Sequence, residues 1–318
     1  MFPGCSCKIF HFVVQYAPVI QMNRQIKSSL LLLLATVIWG SAFVSQSIAA
    51  NYIGPFTFQA SRGFMAVICM IPVIILFDRT QRDGRSFWKK WSSLKLWKAG
   101  ILCGVLLFLA CNLQQMGLAD TDPGKSGFLT AMYIVMVPII GIFRRKKPGV
   151  LVPISVLLAV GGLYCLSCVG VTSIQVGDLL LLGCALAFSV QITVVDIYVT
   201  SVDPLRLNTL QVLVCTILSA IFMSFTESPS WSGIVSSFLP LVHTGVLSMG
   251  LAYGLQIIAQ KDLPPAPAAL IMSLESVFAL LFGVIFLQEE IDLWKAVGCI
   301  LIFVAVILSQ IPTGRRNA

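Results

Sequence analysis

Residues 104–130, GVLLFLACNLQQMGLADTDPGKSGFLT, are matched in outline by residues 245–272, GVLSMGLAYGLQIIAQKDLPPAPAALIM. In each segment an apolar stretch with Leu-Gln in its second half leads to a short polar turn. A Pro then opens the next apolar stretch, where its missing N–H costs nothing. Both segments therefore predict tight antiparallel helical hairpins. They belong to a longer repeat, because the second five apolar stretches of the chain follow the first five at an offset of roughly 141 to 148 residues.

The composition is that of a membrane protein. Hydrophobic residues make up 58% of the 318 residues and charged residues 11%, and the mean hydropathy is +0.93. This leaves too little polar surface to cover a water-soluble globule. Runs of about 20 apolar residues, the length that crosses a bilayer, predict an all-α integral membrane protein with ten transmembrane helices at 28–50, 55–77, 96–118, 123–143, 150–169, 177–199, 205–225, 239–259, 266–288 and 294–311.

The repeat sets the expected domain organisation. An odd number of spans in each half forces the halves to lie upside down relative to each other, which is the architecture of a secondary transporter. The prediction is two inverted five-helix repeats, one at 28–149 completed by helix 5 at 150–169, the other at 177–311. An N-terminal extension at 1–27 and a tail at 312–318 flank them. Met22 is a more natural start than Met1, so residues 1–21 are expected to be poorly ordered or never made.

The net charge of +8 is explained by topology. Nearly all of the 21 lysines and arginines fall on one side of the predicted spans, above all in the loop 79–98 and at Arg144–Lys147, whereas acids such as Asp178 and Glu227 fall on the other. The positive-inside rule places both termini in the cytoplasm. We expect a multi-pass protein of a bacterial cell membrane whose basic runs contact anionic lipid, and no nucleic-acid partner.

Two charged residues inside spans are the leading candidates for function. Glu275 lies about nine residues into span 9, or roughly 14 Å deep, where a carboxylate is costly. It is either a proton- or cation-coupling acid, a group that binds a substrate amine, or a hydrogen-bonding group that locks spans 9 and 8. Arg62 in span 2 either snorkels or pairs with a backbone carbonyl, or it forms a cavity-facing anion site or an ion pair with Glu275.

Polar and aromatic side chains near the middle of other spans complete the candidate substrate site. Amides and aromatic rings with few charges suit a pocket for a small polar or zwitterionic solute, although each alone is equally expected as an interhelical contact. The candidates are Trp39, Gln59, Asn112, Gln115, Tyr133, Tyr253 and Gln256, with Trp39 and Tyr133 preferred as pocket walls.

The chain carries no sequence motif for a catalytic, metal or nucleotide site. We therefore expect no enzyme activity and no cofactor. The repeat architecture indicates a secondary carrier, with proton coupling as one option. The alternative is a lipid or glycan-carrier flippase subunit, or a membrane enzyme acting on lipid. The expected state is a monomer or weak homodimer.

Four segments resemble the EamA-type members of the drug/metabolite transporter superfamily. They are Ala35–Phe43, Gln59–Phe64, Ser126–Pro138 and Leu270–Phe278, which occur in this order along the ten spans. The resemblance covers essentially everything from Met22 to Gln310. It implies a ten-helix carrier with a central cavity for small metabolites, amino acids among them. We expect such a carrier to work by alternating access and to export or exchange its solute. In span 9 the family often has Glu-Pro, whereas in this chain Ser276 follows Glu275, so no proline kinks the helix at that point.

Overall fold

The computed structural model describes residues 6–80, 87–119, 121, 123–145, 149–167, 175–288 and 290–311, and every regular element in these ranges is helical. Eight of the described helices are long and apolar enough to cross a membrane, and two shorter apolar helices accompany them. The predicted all-α membrane class is therefore confirmed. The count of ten crossings stays a prediction, because the shorter helix Leu293–Ser309 has 17 residues and spans only about 25 Å at 1.5 Å per residue.

We number these ten helices in chain order and keep one number for a helix that is interrupted. They are α1 (Ser6–Ala50), α2 (Pro55–Thr80), α3 (Leu94–Ala119), α4 (Pro123–Ala131 and Tyr133–Phe143), α5 (Leu151–Ser167), α6 (Val176–Tyr198), α7 (Pro204–Thr226), α8 (Phe238–Val242, His243–Ala252 and Tyr253–Ala259), α9 (Pro265–Met272 and Leu274–Leu287) and α10 (Leu293–Ser309). Two short helices, Phe87–Trp91 and Trp231–Ser236, precede α3 and α8.

Three helices are irregular near their middle. The helix α4 is interrupted at Met132 and α9 at Ser273, and the central segment of α8, His243–Ala252, is a π-helix. The Ser273 hydroxyl donates to the Leu270 carbonyl oxygen at 2.7 Å, a local bond that competes with the regular helical pattern and bends helices. Span 9 is thus broken two residues before Glu275 without the help of a proline.

Helix packing follows a regular scheme. The main contacts are α2 with α7, α4 with α9, α5 with α10, α3 with α6 and α7, α8 with α1 and α2, α1 with α9, and α6 with α4. When each helix is exchanged with the helix five places along the chain, the same set of pairs results. Each of these pairs joins a helix of the first five to a helix of the second five, so the two halves pack against each other through equivalent contacts, the α4–α9 pair among them.

The antiparallel pair α2 and α7 is fastened at both ends. At one end Glu227, which follows α7, accepts hydrogen bonds from the Phe56 and Thr57 backbone N–H groups at 2.9 and 2.8 Å and from the Thr57 hydroxyl at 2.6 Å. At the other end Arg206, near the start of α7, forms an ion pair with Asp78 of α2. We call these the α1–α2 end and the α8–α9 end of the bundle, after the connections that lie there.

Several predicted boundaries touch residues that lie outside the described part of the chain. The first five residues are among these, while α1 includes the backbone from Ser6 onward, and the start at Met22 stays a prediction. The predicted end of helix 5 at 169 and the tail at 312–318 also fall outside the described ranges.

Candidate functional site

A cavity lies in the middle of the bundle and is lined by side chains from seven helices. The volume of this cavity is about 40 Å³. This is room for a few water molecules, so a metabolite needs the helices to move apart. The lining residues are Trp39, Phe43, Gln46, Arg62, Gln114, Tyr133, Phe188, Ile192, Ser248, Tyr253, Gln256, Met272 and Glu275.

Glu275 and Tyr133 meet across the contact between α9 and α4. The Tyr133 hydroxyl donates to Glu275 Oε1 at 3.0 Å, and both side chains are buried. Each follows directly on a helix interruption, since Tyr133 opens the second piece of α4 and Glu275 is the second residue of the second piece of α9. The interruptions thus place a phenol and a carboxyl group at the junction of the two halves. The hydrogen bond joins α9 to α4, not to α8 as the interhelical alternative proposed.

Arg62 is held by neighbours on its own helix. Its Nε donates to Gln59 Oε1 at 2.8 Å, and its guanidinium carbon lies 4.8 Å from the centre of the Phe58 ring. The side chain is only 2% exposed, so it does not reach the headgroup region. Among the described residues no ion pair joins Arg62 to Glu275, although both line the cavity. The cavity therefore presents one cation and one acid that are not paired with each other.

Two aromatic residues form one wall of the cavity. The rings of Trp39 and Tyr253 meet edge to face, with centroids 5.1 Å apart. The Tyr253 hydroxyl lies 3.6 Å from Cys111 Sγ, within hydrogen-bonding distance for sulfur. Such a pair provides an apolar face together with polar edges, and an ammonium group lying against it gains cation–π stabilisation.

Three buried polar atoms of the cavity residues have no hydrogen-bond partner within the described part of the chain. They are Nε1 of Trp39, which can only donate, and the side-chain oxygens of Gln46 and Gln256, which accept. Buried polar groups are nearly always paired, and an unpaired one is costly. These atoms are therefore available to a bound solute or to water.

Six of the nine sequence-predicted site residues line the cavity: Trp39, Arg62, Tyr133, Tyr253, Gln256 and Glu275. The other three lie outside its lining. Gln59 holds Arg62. Asn112 donates to the Phe108 carbonyl oxygen at 2.8 Å and to Ser219 Oγ at 3.0 Å, and Gln115 donates to the Gln46 carbonyl oxygen at 3.2 Å.

The predicted site omitted several residues that the structure places at the cavity. Phe43, Phe188, Ile192, Ser248 and Met272 line it. Four of the five are ordinary apolar residues of a membrane span, and no local signal separates them from lipid-facing ones. Gln46 and Gln114 also line it, and their amides in the middle of apolar spans were the available signal.

Similarity to known proteins extends over almost the whole chain. Residues 26–168 and 175–310 match the family described as the EamA-like transporter family. An uncharacterized transporter of Archaeoglobus fulgidus is 33% identical over 310 residues, which are 96% of this chain and 92% of that protein. The uncharacterized transporter YoaV of Bacillus subtilis is 21% identical over 303 residues, covering 92% of this chain and 99% of the relative.

A solved crystal structure supports the fold alone. It superposes with a TM-score of 0.72 at 18% identity and covers 89% of this chain and 96% of its own. The two matched segments fall on α1–α5 and α6–α10, so the family resemblance of the sequence is confirmed. This chain belongs to the EamA-like transporter family and is a multi-pass membrane transporter.

Proposed function

We propose that this protein is a secondary carrier for a small zwitterionic metabolite, with amino acids as the substrate class, that works by alternating access around the central cavity. The observation that carries the proposal is the presence of Arg62 and Glu275 in one cavity without an ion pair between them. A buried charge requires a partner. A solute with a carboxylate and an ammonium group supplies one for each.

The rest of the cavity fits the same class of solute. Trp39 and Tyr253 offer aromatic faces against which an ammonium group or an apolar side chain can lie. The unpartnered oxygens of Gln46 and Gln256 accept hydrogen bonds from an ammonium group, and the indole N–H of Trp39 donates to a carboxylate. The accessible space is small, which favours a solute of few heavy atoms.

The architecture we propose is ten membrane crossings in two inverted five-helix repeats. Its support is the set of helix pairs that maps onto itself when helices five places apart are exchanged. The charge distribution supports cytoplasmic termini in a bacterial plasma membrane. Cavities at the contact of two such repeats are where secondary transporters bind substrate. We further propose export or exchange as the direction, Glu275 as the group that couples flux to protons, and no enzymatic activity.

Reconstitution into liposomes tests the proposal. We expect counterflow of at least one labelled amino acid from a library that also contains sugars, carboxylic acids and primary amines. Transport of sugars or simple anions alone would contradict a zwitterion carrier. Reorientation of labelled phospholipid without solute flux would favour the flippase alternative.

Matched ligands separate the roles of the two charges. Arg62→Gln should weaken binding of the amino acid at least tenfold but hardly that of its decarboxylated amine, because a buried charge that loses its partner costs about 2–5 kcal/mol. Glu275→Gln should show the opposite preference and spare the des-amino acid. Glu290→Gln, which changes an exposed carboxylate in the α9–α10 connection, is the matched control. Equal losses for every ligand in both variants would mean that the two residues only maintain the fold.

A further inference from the structure

Two further cavities flank the central one, at opposite ends of the bundle. The outer pocket, named by the proposed orientation, lies at the α1–α2 end. It is lined by residues of the α1–α2 connection together with Gln115 and Ala119 of α3. The inner pocket lies at the α8–α9 end and is lined by Pro264, Thr193 and other residues. Neither shares a described lining residue with the central cavity, and the residues that lie between form a boundary on each side.

On the outer side a hydrogen bond between described residues crosses that boundary. Gln115 Nε2 donates to the backbone oxygen of Gln46 at 3.2 Å. Gln115 lines the outer pocket and Gln46 lines the central cavity, so the bond between them crosses the boundary. Beside it Phe43 packs with Leu118 and Ala279 in a small apolar cluster. Among the described residues, the outer boundary thus includes one α3–α1 hydrogen bond and one apolar contact.

On the inner side the arrangement is equivalent. Gln260 Nε2 donates to the backbone oxygen of Ile192 at 3.2 Å. Ile192 lines the central cavity, and the next residue, Thr193, lines the inner pocket. Gln256, also in the central cavity, donates to Gln260 Oε1 at 3.2 Å. A glutamine at the end of α8 therefore bridges to α6 across the inner boundary.

The two bonds correspond under the exchange of halves. One joins α3 to α1 and the other joins α8 to α6, helices that lie five places apart in each case. Both use a glutamine amide and a backbone carbonyl, a neutral pair that is weak between membrane helices. A weak bond can break and reform in every transport cycle. Because the acceptor is backbone, replacing the glutamine removes the bond and leaves the partner helix unchanged.

We propose that the hydrogen bonds from Gln115 to Gln46 and from Gln260 to Ile192 are the outer and inner closures of the central cavity, and that they open alternately. This proposal rests on the proposed alternating access. Both closures are formed in the present structure, which is consistent with its small central space. Removing one closure shifts the population toward the state open on that side, since only the closed state loses a bond.

Accessibility of the cavity from each side tests the proposal. Ser248→Cys provides a reporter, because Ser248 lines the cavity and is 3% exposed. A membrane-impermeant maleimide is added to spheroplasts or to inverted membrane vesicles, and labelling at position 248 is measured by peptide mass spectrometry, which separates it from the native cysteines. We expect Gln115→Leu to raise the outside-to-inside labelling ratio about threefold, the effect of losing one weak interhelical bond, and Gln260→Leu to lower it similarly.

Gln191→Leu is the matched control. Gln191 is buried and donates to Gln211 Oε1 at 3.0 Å, but it lines none of the three cavities. It should leave the ratio unchanged. If a leucine variant does not fold, Gln115→Asn and Gln260→Asn shorten the side chain by one methylene and test the same bond.

The outcomes separate this proposal from the proposed function. Labelling of the Ser248→Cys protein from both sides, without a glutamine substitution, supports alternating access. If neither glutamine variant then shifts the labelling ratio, or if both shift it in the same direction, alternating access stands and the closures are wrong. If the reporter is labelled from one side only in every variant, alternating access and the closures both fail. If Gln115→Leu lowers the outside-to-inside labelling ratio and Gln260→Leu raises it, the closures are supported and the proposed orientation in the membrane is reversed.

Discussion

Replacing Glu227 should destabilise the protein although the residue is far from the cavity. Its carboxylate accepts hydrogen bonds from two backbone N–H groups and one hydroxyl at the start of α2. Each is worth roughly 1 kcal/mol net, and a negative charge at a helix N-terminus adds about 0.5 kcal/mol. Since Glu227 is only partly buried, water replaces some of this. We expect Glu227→Ala to lower the free energy of unfolding by about 2–3 kcal/mol.

Gly54 offers an independent check of the same contact. A Cβ atom added at Gly54 would collide with the Glu227 carboxylate. Gly54→Ala should therefore displace the carboxylate and remove the same hydrogen bonds. If so, the two substitutions are not additive, and the double variant costs at least about 1 kcal/mol less than the sum of the single ones.

Equilibrium unfolding in mixed detergent micelles provides the measurement. Glu290→Ala is the control, because Glu290 is exposed and accepts from Lys295 Nζ through its backbone oxygen, which the substitution keeps; it should change stability by no more than about 0.5 kcal/mol. The reasoning fails if Glu227→Ala matches Glu290→Ala. It also fails if Gly54→Ala and Glu227→Ala add, since that would place their effects at separate contacts.

Three further predictions concern orientation, coupling and packing. Reporter fusions in the loop 79–98 should behave as cytoplasmic and fusions near Asp178 as external; an external signal from the loop would reverse the topology. Glu275→Gln should abolish the pH dependence of flux per folded protein, since an amide cannot exchange a proton, whereas an unchanged pH profile removes Glu275 from coupling. Arg206→Ala should cost about 2–3 kcal/mol of stability, because Asp78 loses its charge-assisted hydrogen bond with the buried Arg206 but keeps its ion pair with Lys90; a loss below about 1 kcal/mol in the same unfolding assay would contradict this.

The helices could be predicted from the sequence because apolar runs and turn residues mark them locally. Runs predicted at 177–199 and 205–225 agree within one residue with α6 and α7, which extend over Val176–Tyr198 and Pro204–Thr226. The interruptions at Met132 and Ser273 have no such marker. Neither position is a proline or a glycine. The hydrogen bond that accompanies the second break is donated by the Ser273 hydroxyl to a carbonyl oxygen of the same helix.

The candidate site could be predicted where polarity is unusual and not where it is ordinary. Glu275, Arg62 and Tyr133 stand out within apolar spans, and all three line the cavity. Gln115 also stands out, yet it binds a backbone oxygen at the cavity boundary. A backbone acceptor is present at every residue, so the sequence does not indicate which one is used.

Long-range contacts at helix ends also could not be predicted from the sequence. Glu227 was predicted only as an external charge, but it caps a helix whose first residues lie 171 positions earlier. The signal was indirect. Gly54 precedes Pro55, the first residue of α2, so the position before the helix has no side chain that could cap it in the usual way. A helix start of this kind needs a partner from elsewhere in the chain.

The hydrogen bond between Tyr133 and Glu275 bears on the energetics of the cycle. Glu275 is the only acid among the described residues that line the cavity, and it lies where the two halves meet, so both halves share one carboxyl group. If it carries the coupling proton, the stoichiometry is one proton per solute. Exchange of an outgoing zwitterion for one incoming proton then moves one elementary charge. A potential of 100 mV contributes about 2.3 kcal/mol to such a cycle, enough to sustain a solute gradient of about 50-fold.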